Sequence, residues 1–195
     1  MTSRITDQIL KAAIEAFADY GYFGATTRDI AQKAGVTEPS VYRLFKSKEN
    51  LFEEALLSTV NNSLDPARFL LIIYEHEQRK EKFSVLVLDA VGQWYASLPE
   101  QSARLLMYAA LSRNQRWSQT AYSRTQKIIK LLADSIEREA RKTRARKINA
   151  FAAARTLILA LFDFKITRSV LDSGEKEPAV LDQTVKQWLE GLPVS

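Results

Sequence analysis

A chain of 195 residues is long enough to bury a substantial core, and 46% hydrophobic with 26% charged residues is a globular balance rather than a disordered one. The absence of cysteine excludes disulfides, thiolate chemistry and cysteine-rich zinc sites. His76 is the single histidine, which leaves no basis for a histidine metal site, a Ser-His-Asp relay or the paired Glu-x-x-His motifs of a di-iron bundle. A net charge of +5 is compatible with a polyanionic partner without establishing one. Asp7 and Lys11 interrupt the apolar pattern at the start, so no secretory leader is read there. Leu157–Phe162 and Phe69–Tyr74 fall far short of the ~20 apolar residues a bilayer span needs. A cytoplasmic protein without membrane contact, cofactor, metal or enzymatic site is expected.

The elements read as helices in sequence. Ile5, Ile9, Ala12, Ala13, Ala16 and Phe17 recur at helical spacing, and Gly21 suits the left-handed residue that ends such a helix. Short helices are predicted over about 27–33 and 38–45, joined by a turn at Gly35. Ser47 is a good N-cap for a fourth helix carrying Leu51, Phe52, Ala55, Leu56 and Val60 on one side. Asn61-Asn62-Ser63 and Asp65-Pro66 read as a break, and Glu75–Lys82 as an exposed charged connection. Helices follow at about 82–98, 100–112, 115–142 and 147–171, and a last one at about 179–191 after a Gly174–Pro178 loop. No β-hairpin signal of Asn-Gly or Asp-Gly type is present. The fold class is all-α, with about nine helices: a compact N-terminal domain over residues 1–50 and a larger helical domain over 51–195.

The informative segment is Thr26–Leu51, TTRDIAQKAGVTEPSVYRLFKSKENL. Thr26 caps the first short helix, with Asp29 near the positive end of its dipole. Ala31 is small where two helices cross at close range. Gly35 supplies the turn, Val36 plugs the core, and Thr37 is placed to cap the second short helix. Val41 with Leu44 or Phe45 faces inward, leaving Glu38, Pro39, Ser40, Tyr42 and Arg43 outward. Helix, tight glycine turn and helix make up the geometry that sets a second helix into the major groove. Residues 1–50 hold seven Lys/Arg and six Asp/Glu, so charge alone does not reveal this site.

At these positions the sequence resembles the TetR family of transcriptional regulators. The resemblance rests on Ile9-Leu10-Lys11-Ala12-Ala13, Phe17-Ala18, Gly21-Tyr22, Thr26-Thr27, Ile30-Ala31, Ala34-Gly35-Val36-Thr37, Tyr42, Phe45, Ser47-Lys48-Glu49 and Leu51. It covers residues 5–55; the remainder agrees in helix length and order. It implies phosphate contacts at Thr27, Tyr42 and Lys48, with Lys46 a further one. Arg28, Glu38, Pro39, Ser40 and Arg43 become candidates for base edges: Arg suits guanine O6/N7, and Glu accepts from cytosine N4. Ordinary exposed surface is the competing reading for any one of them. It further implies a homodimer on a palindromic double-stranded DNA operator, released by a small-molecule effector. The alternative is an adaptor on the same fold that does not bind DNA.

In the body, Trp94, Met107, Tyr108, Trp117 and Tyr122 form a candidate ligand-binding set, with core packing as the rival reading for each. Asp163 interrupts an apolar run and either faces a cationic ligand, pairs across a dimer, or is a partly exposed acid. The Arg138–Lys147 run, six basic residues, reads as a solvated helix end. By the resemblance, Ile158, Leu161, Phe162, Leu181, Val185, Trp188 and Leu189 are candidate dimer contacts.

Overall fold

The computed structural model describes residues 2–63, 65–145, 148–171 and 177–193, with side-chain environments for all of these except 2, 3, 168–171 and 177–179. They form α1 (Thr2–Gly24), α2 (Thr27–Lys33), α3 (Glu38–Phe45), α4 (Lys48–Ser63), α5 (Pro66–Gln78), α6 (Phe83–Ser97), α7 (Glu100–Leu111), α8 (Gln115–Thr143), α9 (Ala150–Leu171) and α10 (Glu177–Glu190). The all-α class is as expected, and no strand occurs among the described residues. Ten helices are described rather than about nine; most of the predicted Gly174–Pro178 loop lies outside the described residues.

The additional helix is α5. It starts where the sequence reads as a break: the Asp65 carboxylate accepts from the Ala67 N–H at 2.9 Å, and Pro66 occupies the first turn. Phe69, Ile72, Ile73 and His76 are buried, while Leu70, Leu71 and Tyr74 are exposed. With apolar residues on both faces, the run has no polar stripe to display its period.

The chain divides into two compact units. The first comprises Met1–Ser63 and Pro99–Ser123, the second Leu64–Leu98 and Arg124–Ser195. In the first, α1 packs on α2, α4 and α7. Ile9, Ala13 and Phe17 of α1, Leu51, Phe52, Ala55 and Leu56 of α4, and Ala103, Leu105 and Ala109 of α7 are all but inaccessible to water. Packing therefore groups α4 and α7 with the helices that precede residue 50. At Gly21 the backbone leaves the helical region (φ 67°, ψ 176°), as expected, and one more helical turn reaches Gly24.

In the second unit α6 packs on α5 and α10, and α9 on α10. Trp188 donates its indole N–H to the Ala153 carbonyl at 3.0 Å. The basic run at the end of α8 is an exposed helix end with local ion pairs: Arg138 to Glu77 at 2.9 Å, Arg141 to Glu137 at 3.5 Å and Lys142 to Glu139 at 3.2 Å. Arg146 and Lys147 lie outside the described residues. Among the described residues no helix is long and apolar enough to cross a membrane.

His76 clamps this unit. Buried at the end of α5, its Nδ1 faces the Glu81 carboxylate and its Nε2 the Asp89 carboxylate of α6 at 2.8 Å. Gln93 also holds Asp89, and Arg79 stands 3.9 Å from Glu81. With an acceptor at each nitrogen, the imidazolium is the form that fits. The hydrogen bond to Asp89 raises the histidine pKa, burial works against it, and Glu81 raises it further. Gln93 first, and His76 next, hold the Asp89 carboxyl below its ordinary value.

The signs follow from linkage. The histidine contributes fully below its unfolded pKa, about 6.5, and its contribution is lost as pH rises through the raised folded value. The aspartate's contribution is lost as pH falls through its lowered one. Unfolding free energies of the parent and His76→Gln, compared between pH 5 and 9, are expected to differ most on the acid side of neutrality, by about 1–3 kcal/mol. They should converge as pH rises; a gap that does not narrow above pH 8 contradicts the clamp.

Candidate nucleic-acid interface

The turn between α2 and α3 is built from local signals. Thr26 caps α2 by accepting from the Asp29 N–H at 3.1 Å. At the other end, the Gly35 N–H reaches the Gln32 carbonyl at 3.1 Å and the Val36 N–H the Ala31 carbonyl at 3.0 Å. This is the Schellman arrangement, and it requires the left-handed φ of 68° that Gly35 adopts. No atom lies within 4 Å of where a Gly35 Cβ would stand, so backbone conformation rather than space selects glycine. Ile30 and Ala31 from α2 and Val41 and Phe45 from α3 are buried, which fixes the face α3 turns outward. Val36 and Leu44 are only half-buried. Thr37 occupies the N-cap of α3 in extended conformation, but its hydroxyl bonds Ser40 Oγ at 2.9 Å instead of capping the backbone.

Three of the expected contact residues meet one another. Thr27 is buried; its hydroxyl donates to Glu38 Oε1 at 2.5 Å and lies 3.2 Å from the Tyr42 hydroxyl. The cluster ties the start of α2 to α3 and occupies the Glu38 carboxylate, which otherwise repels phosphate. Tyr42 keeps an exposed ring, and Pro39 and Arg43 are exposed with Ser40 half-buried. Arg28 at the start of α2 is exposed as well. Neither Arg28 nor Arg43 forms an ion pair among the described residues. Lys46 terminates α3 with φ 67°, and its ammonium donates to the Arg43 carbonyl at 3.0 Å.

Ser47 caps α4 as expected, accepting from the Asn50 N–H at 3.0 Å. Lys48, the first residue of α4, places its Nζ 4.8 Å from the centroid of the Tyr22 ring, and burial lowers its pKa. Tyr22 was legible in the sequence only as part of the glycine-tyrosine motif. In the structure it joins Phe52, Tyr108 and Trp117 in one aromatic cluster. Phe52 and Trp117 stand 4.2 Å apart by centroid, Tyr22 and Trp117 4.9 Å, Tyr22 and Phe52 5.5 Å, and Phe52 and Tyr108 6.0 Å. No spacing rule connects residue 22 with residue 117, so sequence reasoning did not pair them.

This bears on the expected ligand-binding set, which does not come together within either unit. Met107, Tyr108, Trp117 and Tyr122 belong to the first unit, and Trp94 and Asp163 to the second. Tyr108 and Trp117 pack on the helices that carry the DNA-binding motif. Met107 is half-buried and Tyr122 exposed. Trp94 is buried, with its ring 6.4 Å from that of Phe162. Asp163 is exposed on the outer side of α9, because the buried Leu157, Ile158, Leu161 and Phe162 occupy the inner side. A cavity of about 210 Å³ in the second unit, between the α5–α6 connection and α8, is lined mainly by Lys80, Glu81, Lys82, Phe83 and Glu139 and includes none of the six.

The expected dimer contacts require correction. Ile158, Leu161, Phe162, Val185 and Leu189 are buried within the single chain, so they have almost no surface left for a partner. Leu181 and Trp188 are half-buried. What α9 leaves outside is Phe151, Arg155, Leu159 and Asp163 at four-residue intervals, flanked by Ala152, Thr156 and Ala160. The heptad-like run is apolar on both sides, and the sequence alone does not say which side faces inward.

Comparison with known proteins agrees with this geometry. Residues 9–55 match the family model of bacterial regulatory proteins, tetR family. Over 167 residues the chain is 25% identical to the HTH-type transcriptional regulator YhgD of Bacillus subtilis, covering 84% of this chain and 86% of that one. Over 50 residues it is 48% identical to the HTH-type transcriptional repressor KstR2 of Mycolicibacterium smegmatis, a match spanning 26% of this chain and 24% of KstR2. Among solved structures, the transcriptional regulator FadR of Bacillus subtilis in complex with stearoyl-CoA superposes with a TM-score of 0.70 at 17% identity, covering 95% of this chain and 98% of that one. Helix order, the α2–turn–α3 motif and these matches lead to one conclusion: residues 9–55 form a DNA-binding module of the tetR family type, in a chain that is similar over most of its length to DNA-binding transcriptional regulators.

Proposed function

We propose that this regulator is a homodimeric repressor that leaves a palindromic operator when a small lipophilic effector binds. The observation that carries the DNA-binding part is the outward face of α3. Pro39, Tyr42 and Arg43 are exposed there beside Arg28, and neither arginine has an acidic partner among the described residues. An unpaired guanidinium on such a helix is free to take the guanine O6/N7 pair, while Tyr42, Lys46 and Lys48 set the helix against phosphates. Selection from random duplexes is expected to return a two-fold symmetric site. Arg43→Ala should cost about 1–3 kcal/mol on that site and relax one position in each half. Transcription in vitro from a promoter overlapping the site should fall on adding the protein. Failure to select any duplex supports the adaptor reading instead.

A two-fold operator calls for two recognition helices about 34–36 Å apart, and hence for a dimer. The exposed stripe of α9 supplies a self-complementary surface. A two-fold axis through Leu159 sets Arg155 of one copy opposite Asp163 of the other, twice, since both lie four residues from Leu159. Ala152, Thr156 and Ala160 permit close approach. At an interhelical distance of about 8–10 Å, facing Cα atoms come within reach of a disulfide. The chain has no cysteine, so Leu159→Cys is expected to cross-link into a covalent dimer on mild oxidation, and Leu70→Cys on the exposed side of α5 is not. Arg155→Glu and Asp163→Lys should each weaken the dimer in sedimentation, and the double variant should recover it. The reverse cross-linking result places the dimer elsewhere.

For the effector, Trp94 is the best-supported anchor. Its indole N–H is buried in the second unit with no hydrogen-bond partner among the described residues, a donor available to one acceptor atom in apolar surroundings. The exposed position of Asp163 removes the reason to expect a cationic ligand. FadR of Bacillus subtilis was solved with stearoyl-CoA, which makes long-chain acyl compounds the first class to test. Release of a fluorescent operator duplex by acyl-CoA or free fatty acid is the expected readout, with Trp94→Phe raising the required concentration about tenfold. Unchanged sensitivity in that variant sinks the anchor.

A further inference from the structure

We infer that Tyr22 is a positioning residue for Lys48, and that the aromatic cluster behind it makes the placement of this phosphate-contacting ammonium depend on α7 and the first turn of α8. The inference rests on the DNA-binding reading of Lys48 and specifies how that contact is held and regulated. A lysine that opens a helix faces the positive end of the helix dipole. Lys48 has no acidic partner among the described residues, and its partial burial further disfavours the charged form. What compensates is the negative face of the Tyr22 ring, 4.8 Å from Nζ.

The ring is itself held from behind. Gly21 turns the backbone with its left-handed φ of 67°, and a Cβ there would meet Tyr108 Cε2 at 3.0 Å, so the backbone at Gly21, next to Tyr22, abuts the α7 side chain. Trp117 lies 4.9 Å from Tyr22 by ring centroid, and Phe52 5.5 Å. Asn114 anchors the start of α8, its side chain accepting from the N–H groups of Arg116 and Trp117 at 3.0 and 3.3 Å. The Trp117 indole N–H, in contrast, is buried without a hydrogen-bond partner among the described residues. Ring contacts with Tyr22 and Phe52 rather than a side-chain hydrogen bond hold that side chain, so a shift of the start of α8 moves it without breaking one. Displacement of Tyr108 or Trp117 is then passed to Tyr22, and from Tyr22 to Lys48. Interiors are packed too tightly to absorb such a shift as empty space.

Binding of the full chain to a short random-sequence duplex, measured by anisotropy across a potassium chloride series, tests this. Lys48→Ala is expected to flatten the salt dependence by roughly one unit of slope. Tyr22→Phe, which keeps the ring, should match the parent. Tyr22→Leu should reproduce the Lys48→Ala loss, and the double variant should lose no more than either single one. Trp117→Leu should weaken binding in the parent background and not in Lys48→Ala. Parent-like binding by Tyr22→Leu, or losses that multiply in the double variants, overturns the inference. Should Tyr22→Leu fail to fold, ring-fluorinated phenylalanines at position 22 keep the shape and deplete the negative face. Affinity must then fall with each added fluorine, and a flat series overturns the proposal equally. A parent protein that binds no duplex at any salt overturns the DNA-binding reading itself, a result distinct from every variant outcome above.

Discussion

The first unit is organised around the ring of Phe52. It is wholly buried and meets Phe17 at 5.0 Å, Tyr22 at 5.5 Å, Tyr108 at 6.0 Å and Trp117 at 4.2 Å, so that one side chain of α4 touches α1, α7 and α8. Tilted and edge-on rings at these separations combine large apolar burial with a directional preference. They therefore specify helix angles as well as holding the helices together. A recognition helix of eight residues has little stability of its own and takes its orientation from what it packs on. The orientation of α3, the proposed recognition helix, therefore rests on α2 and α4, and through α4 on α1 and α7.

The polar side of the same unit shows how a negative charge is accommodated on the surface proposed to meet DNA. Glu38 stands at the start of α3, where the helix dipole favours an acid, and its carboxylate accepts from the buried Thr27 hydroxyl. The pair stiffens the α2–α3 corner and draws the Tyr42 hydroxyl toward it. Arg28 and Arg43 are left without an acidic partner among the described residues. Local net charge near zero is thus compatible with a positive outward face, because acids and bases are sorted by side rather than by number.

In the second unit the governing feature is the sidedness of α9. Leu157, Ile158, Leu161 and Phe162 turn inward, while Phe151, Leu159 and two opposite charges remain outside. A helix with apolar residues on both sides has two surfaces to cover. One is covered by this chain, through Trp188 to Ala153 among other contacts. The other is the reason a second copy enters the functional reading.

The sequence by itself determined the parts of this protein that depend on neighbours along the chain: Thr26 and Ser47 as caps, Gly21 and Gly35 as left-handed residues, the short α2 and α3, and the inward Ile30, Ala31 and Val41. Each is a choice among a few backbone states, set by one side chain and its hydrogen bonds within a turn of helix. Tertiary structure alone decided the rest. Which side of α9 is interior, that α5 is a helix despite its unpatterned apolar run, and that Tyr108 and Trp117 serve Tyr22 and Phe52 all depend on partners distant in sequence. The physical reason is that burial is non-directional: leucine, phenylalanine and tryptophan gain about as much from one apolar neighbour as from another. Only the packed arrangement, in which each volume is filled once, selects which neighbour it is.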